Sequence, residues 1–305
     1  LGGAVLALIL ISGPTATGKT ELGICLAQKL DSVIINGDSR QVYQELDIGT
    51  AKPTPSQRAQ VPHYLTNWVA PTELITVAQY QSAAQRLIDQ FQGQGKIPLL
   101  VGGSGLYLQA VVQGLRIPPV APQPKLRQQL STYSQLERYH FLQQIDPPSA
   151  RKIHPHDAVR TLRALEVYYV MGRSLSQLQG QNIPNYPVLY LYLDSDQLTL
   201  RISQRTQKMI DQGLVAETQL LQAKYGADLP LLKTLGYQEI SDYLRGNCTL
   251  IQAQEAIIQH TRQLAKRQRT WFRGQSGLVS INSDRPDLIT YSWDKVQAFL
   301  TAIRY

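Results

Sequence analysis

An α/β fold built on a parallel sheet is predicted for this chain of 305 residues, and three observations predict it. Apolar runs without polar alternation recur at Val5–Ser12, Ser32–Asn36, Pro98–Val101 and Val188–Leu193, the pattern of strands buried on both faces. Each of the first three is followed by a helical pattern, the βαβα alternation that puts parallel strands at the centre and helices on both sides. The first run also leads directly into Gly13-Pro14-Thr15-Ala16-Thr17-Gly18-Lys19-Thr20, with the G-x-x-x-x-G-K-[ST] spacing of a phosphate-binding loop between strand and helix. The expected architecture is a P-loop NTPase-like parallel sheet with flanking helices and a small helical insertion domain.

The elements follow in order. In the loop, backbone N–H groups of Gly13 and Thr15 to Thr20 point at an anion, and the helix N-terminus adds partial positive charge. Lys19 neutralises phosphate oxygens and the Thr20 hydroxyl holds Mg²⁺. Most such loops hold a nucleoside triphosphate. The second strand ends at Asp38-Ser39-Arg40-Gln41, where Asp38 either accepts a proton from an acceptor nucleophile or caps the next turn. The third ends at Gly102-Gly103-Ser104-Gly105-Leu106-Tyr107, with a hydroxyl at Ser104 but no Walker-B acid. An Asn-Lys-x-Asp guanine-recognition motif is missing too. Both absences weigh against an NTP-driven motor or switch.

About eighty residues separate the third and fourth strands, too many for a simple crossover. The segment opens with Pro118, Pro119, Pro122 and Pro124 and continues with helical stretches near Lys125–Leu130, Ser134–Gln144 and Asp157–Gly172. Residues 123–160 are expected to form a helical insertion, the core being 1–122 and 161–305, with the following helix returning to the sheet. His154 and His156 flank Pro155, with no further ligands to complete a metal site. The fourth strand ends at Asp194 and leads into one long helix, Gln197 to Lys224. On it Arg201 and Arg205 share one side, as a phosphate lid or as a solvated basic stripe. A last helix, Leu250 to Phe272, carries Thr261-Arg262-Gln263-Leu264-Ala265-Lys266-Arg267-Gln268-Arg269-Thr270-Trp271-Phe272-Arg273. This is the densest cationic stretch, suited to phosphate contacts and base stacking, or else a plain basic face anchored by its aromatics. The tail after Gly274 gives no reading.

Composition sets the class. Net charge is +8, from 30 Lys and Arg against 22 Asp and Glu, which suits a polyanionic partner without requiring one. Cys25 and Cys248 are the only cysteines, fitting a reducing cytosol rather than a disulfide scaffold. The run Leu1 to Ile11 lacks a basic n-region and is read as a first strand, not a signal peptide. No stretch is long enough to cross a bilayer. A cytoplasmic protein without membrane association is expected.

Together these segments resemble the tRNA dimethylallyltransferase family, also called tRNA isopentenyltransferases. The match runs in order through the P-loop, Asp38-Ser39-Arg40-Gln41-Val42-Tyr43, Asp47-Ile48-Gly49-Thr50-Ala51-Lys52-Pro53 and Gly102 to Tyr107. It continues through Ile153-His154-Pro155, Arg160 to Val167, Leu235-Gly236-Tyr237-Gln238-Glu239 and Thr261 to Gln268 with Trp271. The P-loop alone is weakly specific; the set is strongly so. The resemblance implies transfer of a dimethylallyl group from dimethylallyl diphosphate to N6 of adenosine 37 in the tRNA anticodon loop. Gly13, Thr15 to Thr20, Arg205 and a Mg²⁺ on Thr20 would hold the departing diphosphate. Asp38 would accept the N6 proton and Ser104 would hydrogen-bond the base or amine. By family position tRNA contacts fall on Asp38, Ser39, Arg40, Gln41, Ser104, Arg127, Arg160, Arg163, Arg262, Lys266, Arg267, Arg269 and Arg273. The family often has Thr where Ser104 stands. The cysteines of the eukaryotic zinc-finger extension are missing, which favours a bacterial type; a monomer is expected. An ATP-dependent small-molecule kinase using Asp38 as acceptor base is the alternative.

Overall fold

The computed structural model describes residues 6–303, so the Val5 start of the expected first strand and the run 1–5 lie outside the described residues. Six strands form one sheet: β1 (Leu8–Ser12), β2 (Ile34–Asn36), β3 (His63–Tyr64), β4 (Leu99–Val101), β5 (Val188–Asp194) and β6 (Leu278–Asn282). Their order is β3-β2-β4-β1-β5-β6, and every neighbouring pair is parallel. β1 lies at the centre, with Ile9 beside Leu99 on one side and beside Leu189 on the other. All of Leu8, Ile9, Leu10 and Ile11 are fully buried, which is why this strand shows no alternation in the sequence. The chain leaves β1 toward β2 on one side and reaches β5 on the other. The crevice at the carboxyl ends of these strands is where open α/β sheets bind ligands.

Among the elements that were not legible are two strands, the helix Tyr237–Leu244 and a helix near the C-terminus. β3 is two residues long, below any periodicity. β6 is a half-exposed edge strand, and the helix Leu288–Ala302 that follows it places Val296 in the main core cluster with Ile9, Ile11, Leu26 and Leu191. The tail thus closes one face of the sheet. The single helix expected over Gln197–Lys224 is two, Leu198–Asp211 and Leu214–Tyr225. Gly213 between them has φ 100°, a left-handed conformation that ends one helix and starts the next.

The chain divides into two compact units, residues 1–111 with 185–305, and Val112–Pro184. The second is wider than the expected 123–160. Its helix Ala158–Met171 does not return to the sheet: Ala164, Leu165 and Val167 bury in a separate cluster with Leu130, Leu142 and Ile153. The unit's ends run side by side, Arg116 N–H donating to Gly180 O at 2.8 Å and Asn182 N–H to Gly114 O at 2.7 Å. Inside it the Glu166 carboxylate is fully buried and accepts from Arg127 at 2.8 and 2.9 Å, Arg163 at 2.6 Å and Gln123 N–H at 2.7 Å. Burial opposes that charge, but these donors hold the carboxyl well below its usual range, at about 2.

Candidate active site

Where β1 ends, residue 13 has to be glycine. It has φ 146°, and a Cβ there would lie 2.1 Å from Leu193 O on the neighbouring strand. Gly18, with φ 80°, caps the helix Lys19–Lys29 in a left-handed conformation, and Thr17 Oγ1 pins the turn by donating to Pro14 O at 2.9 Å. The loop residues Thr15 to Thr20 line a cavity of about 220 Å³. Asp38, Gln41, Arg205 and Gln268 enter its wall from other elements.

The electrostatics are those of an anion site. Burial, and next the charge of Arg205, lower the Lys19 amine to about 7, with Asp38 opposing. Burial also lowers Arg205, again with Asp38 opposing. Two cations held close together in a desolvated pocket repel each other, and a polyanion between them removes that repulsion. Lys19 Nζ meanwhile donates to Pro14 O at 2.5 Å.

Thr20 lies in the same wall, and its hydroxyl has no hydrogen-bond partner among the described residues. No group of three or more His, Cys, Asp or Glu suited to a metal occurs among the described residues. One free hydroxyl in a phosphate cavity fits Mg²⁺, which keeps several waters and takes its remaining ligands from substrate phosphates.

Asp38 makes the local cap that its sequence position allowed and keeps its second carboxylate oxygen unbonded among the described residues. Oδ1 accepts from Arg40 N–H at 2.8 Å, a local cap, while Oδ2 accepts nothing from a described residue. Its backbone is clamped by Asn36, whose Oδ1 accepts from Asp38 N–H and whose Nδ2 donates to Asp38 O, both at 3.1 Å. Ser104 is not in the cavity wall. Its Oγ accepts from Ser39 N–H at 2.9 Å and lies 3.1 Å from Ser39 Oγ, so it fixes the Asp38–Gln41 loop. Gln41 in turn donates to Thr50 O and Ala51 O at 3.1 and 3.2 Å.

The long helix Leu250–Arg273 packs against this mouth. Ala253, Ile257, Ala265 and Phe272 are buried, whereas Arg262, Lys266, Arg267 and Arg273 are exposed. Trp271 packs so tightly on the glycine loop that a Cβ on Gly105 would lie 2.4 Å from its ring. Arg269 is turned inward, pairing with Asp194 at 2.8 Å and donating to Ser195 O. Arg201 and Arg205 do not act as a pair: Arg201 bridges Asp284 at 2.7 Å and only Arg205 reaches the cavity. In the second unit Arg127 and Arg163 are tied to Glu166, while Arg160 is 63% exposed with a loose contact to Asp157 at 3.4 Å.

Two side chains that shape the site escaped sequence reasoning. Gln268 reaches from the basic helix to Thr15 N–H and Gly103 O, both at 2.9 Å. Glu217 accepts from the N–H groups of Asp47, Ile48 and Gly49 at 3.1, 2.8 and 3.0 Å and from Tyr237 OH at 2.6 Å. That shapes the loop whose Ala51 and Pro53 line the cavity. Both side chains link residues far apart in the chain. The sequence signal was membership of the motifs that carry the family resemblance: Gln268 and its partners Thr15 and Gly103 all lie in them, as do Glu217's partners in Asp47–Pro53 and Leu235–Glu239, though Glu217 itself does not.

The fold and the site define a P-loop protein with a cationic cavity that opens beside the Asp38 carboxylate and a helix that exposes basic side chains. A family model described as IPP transferase matches residues 41–275. The chain is 56% identical over 282 residues to a tRNA dimethylallyltransferase of a Cyanothece species, covering 92% of this chain and 94% of that one. It is 55% identical to the enzyme of that name from a Picosynechococcus species, over 92% and 95% of the two chains. Among solved structures, the tRNA isopentenylpyrophosphate transferase of Bacillus halodurans superposes with a TM-score of 0.72 at 33% identity, covering 98% and 97%. A eukaryotic dimethylallyltransferase acting on tRNA gives 0.82 at 27% identity, covering 97% of this chain and 80% of that one. The chain belongs to the IPP transferase family, the tRNA dimethylallyltransferases.

Proposed function

We propose that this chain transfers a dimethylallyl group from dimethylallyl diphosphate to N6 of adenosine 37 in the anticodon loop of tRNA and releases diphosphate. The observation that carries the proposal is one cavity walled by the P-loop, Lys19 and Arg205 together with Asp38. The allylic C–O bond breaks as N6 attacks, and negative charge develops on the leaving diphosphate. Amides of the loop, Lys19 and Arg205 stabilise that charge. A Mg²⁺ on Thr20 would supply further neutralisation when bound. The N6 lone pair is delocalised into the purine ring, so the amine attacks only as its proton is removed, and the free Oδ2 of Asp38 is placed to take it.

Adenosine 37 has to leave the loop stack, at a cost of about a few kcal/mol. Contacts to unstacked bases and phosphates offset it. The exposed Arg262, Lys266, Arg267 and Arg273 are the cations free to supply them, with Arg40 beside the base-binding loop. In the second unit Arg160 is the most exposed of the expected contacts. The side chains of Arg127, Arg163 and Arg269 contribute through the carboxylates they hold as well as through charge. The enzyme acts as a monomer in the cytoplasm; no helix among the described residues is long and apolar enough to cross a membrane.

Parallel incubations with labelled dimethylallyl diphosphate and with γ-labelled ATP, each with unmodified tRNA, test this. Label is expected in tRNA only from the prenyl donor. Phosphoryl transfer without prenyl transfer would favour the kinase reading.

A further inference from the structure

Glu217 lies in the first turn of the helix Leu214–Tyr225 and is not part of the cavity wall. Its carboxylate nonetheless holds a loop that is. The N–H groups of Asp47, Ile48 and Gly49 converge on it at 3.1, 2.8 and 3.0 Å, and Tyr237 OH donates at 2.6 Å. Three successive amides aimed at one point form an anion nest, and here the protein fills the nest with its own carboxylate. The Tyr237 ring closes the joint: it is fully buried, and a Cβ on Gly49 would lie 2.5 Å from it. Lys52 braces the same loop from within. Its buried Nζ donates to Asp47 Oδ1 at 2.6 Å, Asn67 Oδ1 at 2.5 Å and Tyr43 O at 2.7 Å.

The braced loop in turn holds Gln41. Thr50 O and Ala51 O accept from Gln41 Nε2 at 3.1 and 3.2 Å, and Gln41 lines the cavity wall with Asp38. Both acceptors are carbonyls, which only the NH₂ end of an amide can meet, so the loop sets the orientation of that side chain. Gly49, the last amide bound by Glu217, directly precedes Thr50. A shift of the nest therefore passes across one peptide unit to the carbonyls that hold Gln41.

We propose that Glu217 is a positioning residue for the acceptor side of the reaction: by filling the nest at Asp47–Gly49 it fixes Thr50 and Ala51, and through them Gln41 beside Asp38. This role rests on the tRNA reading of the site and deepens it. The P-loop takes no part in the chain of bonds from Glu217 to Gln41, so the leaving-group side should not respond to its loss. The effect belongs in the rate of transfer, where a misplacement of about 1 Å costs about 10²-fold.

Single-turnover rates of prenyl transfer from dimethylallyl diphosphate to unmodified tRNA, with calorimetric affinity for inorganic pyrophosphate, test it in the wild type, Glu217→Gln, Gln41→Ala and the double variant. Glu217→Gln sets an NH₂ group against the amide donors. It is expected to slow transfer by about 10–10²-fold while pyrophosphate affinity stays within about twofold of wild type. In the Gln41→Ala background the same substitution should cost less than about threefold, because the side chain it acts through is gone. A merely structural role predicts losses that add instead. Additive losses, an unchanged rate, or a matched loss of pyrophosphate affinity each overturn the proposal. Should Glu217→Gln fail to fold, Tyr237→Phe carries the same cycle. It keeps the ring against Gly49, removes only the hydroxyl, and should give a smaller loss that Gln41→Ala again removes. A wild type that transfers no prenyl group overturns the tRNA reading instead, since that result does not involve Glu217.

Discussion

At the scale of single residues the site depends on groups held in unfavourable states until substrate arrives. Lys19, lowered to about 7 by burial and by Arg205, is largely neutral at pH 8 in the free protein. A bound diphosphate favours its charged form and raises that value, so binding takes up a proton above pH 7. Affinity then falls as pH rises through 7, because charging the amine becomes part of the cost. Calorimetry at pH 8 in two buffers of different ionisation enthalpy measures the uptake, and Lys19→Met is expected to abolish it. Asp38→Asn keeps the cap to Arg40 and removes the base. Turnover should drop by about 10²–10⁴-fold, the usual value of a positioned general base, with tRNA affinity nearly unchanged by filter binding. Loss of tRNA binding in place of turnover would assign Asp38 to recognition.

At the scale of elements, Glu166 shows how the second unit is held. Its carboxylate is fully buried between Arg127 and Arg163, which stay 42% and 30% exposed. Breaking a buried pair costs about 3–5 kcal/mol, and the partial exposure of both arginines lowers that to roughly 2–3 for Glu166→Gln in urea unfolding. The folded value of about 2 lies below the ordinary 4.5, so the pair stabilises the fold fully above pH 4.5. That contribution is lost as pH falls toward 2. The sequence made four strands and the P-loop legible because their burial and spacing are local properties. It did not show that the helix Ala158–Met171 buries in the second unit's own core, since its apolar face suits either neighbour. Nor did it separate Arg201 from Arg205: four residues apart put them on one side, but Asp284, far along the chain, draws one of them off. Gln268 and Glu217 were missed for the same reason. Each organises backbone more than 160 residues away, and no local pattern encodes such a pairing.

At the scale of the molecule, the Leu250–Arg273 helix joins two tasks. One side pins the P-loop and the glycine loop through Gln268 and Trp271, and the other presents cations to solvent. Charge reversal of Arg262, Lys266 and Arg267 should therefore weaken tRNA binding and flatten its salt dependence, by about one unit of slope for each phosphate no longer neutralised. The KM for dimethylallyl diphosphate should stay constant in the same variants, because none of the three lines the cavity. A matched rise in both constants would mean that the helix moves the P-loop when its outer face is altered. The central claim, that this P-loop holds a leaving group while the nucleotide enters as one base of a tRNA, is tested most directly by mass spectrometry of nucleosides. Unmodified tRNA is incubated with the protein, dimethylallyl diphosphate and Mg²⁺, then digested. The expected product is N6-dimethylallyl-adenosine confined to the anticodon-loop fragment containing position 37. Adenosine left unmodified there, or prenyl groups at other positions, would contradict the claim.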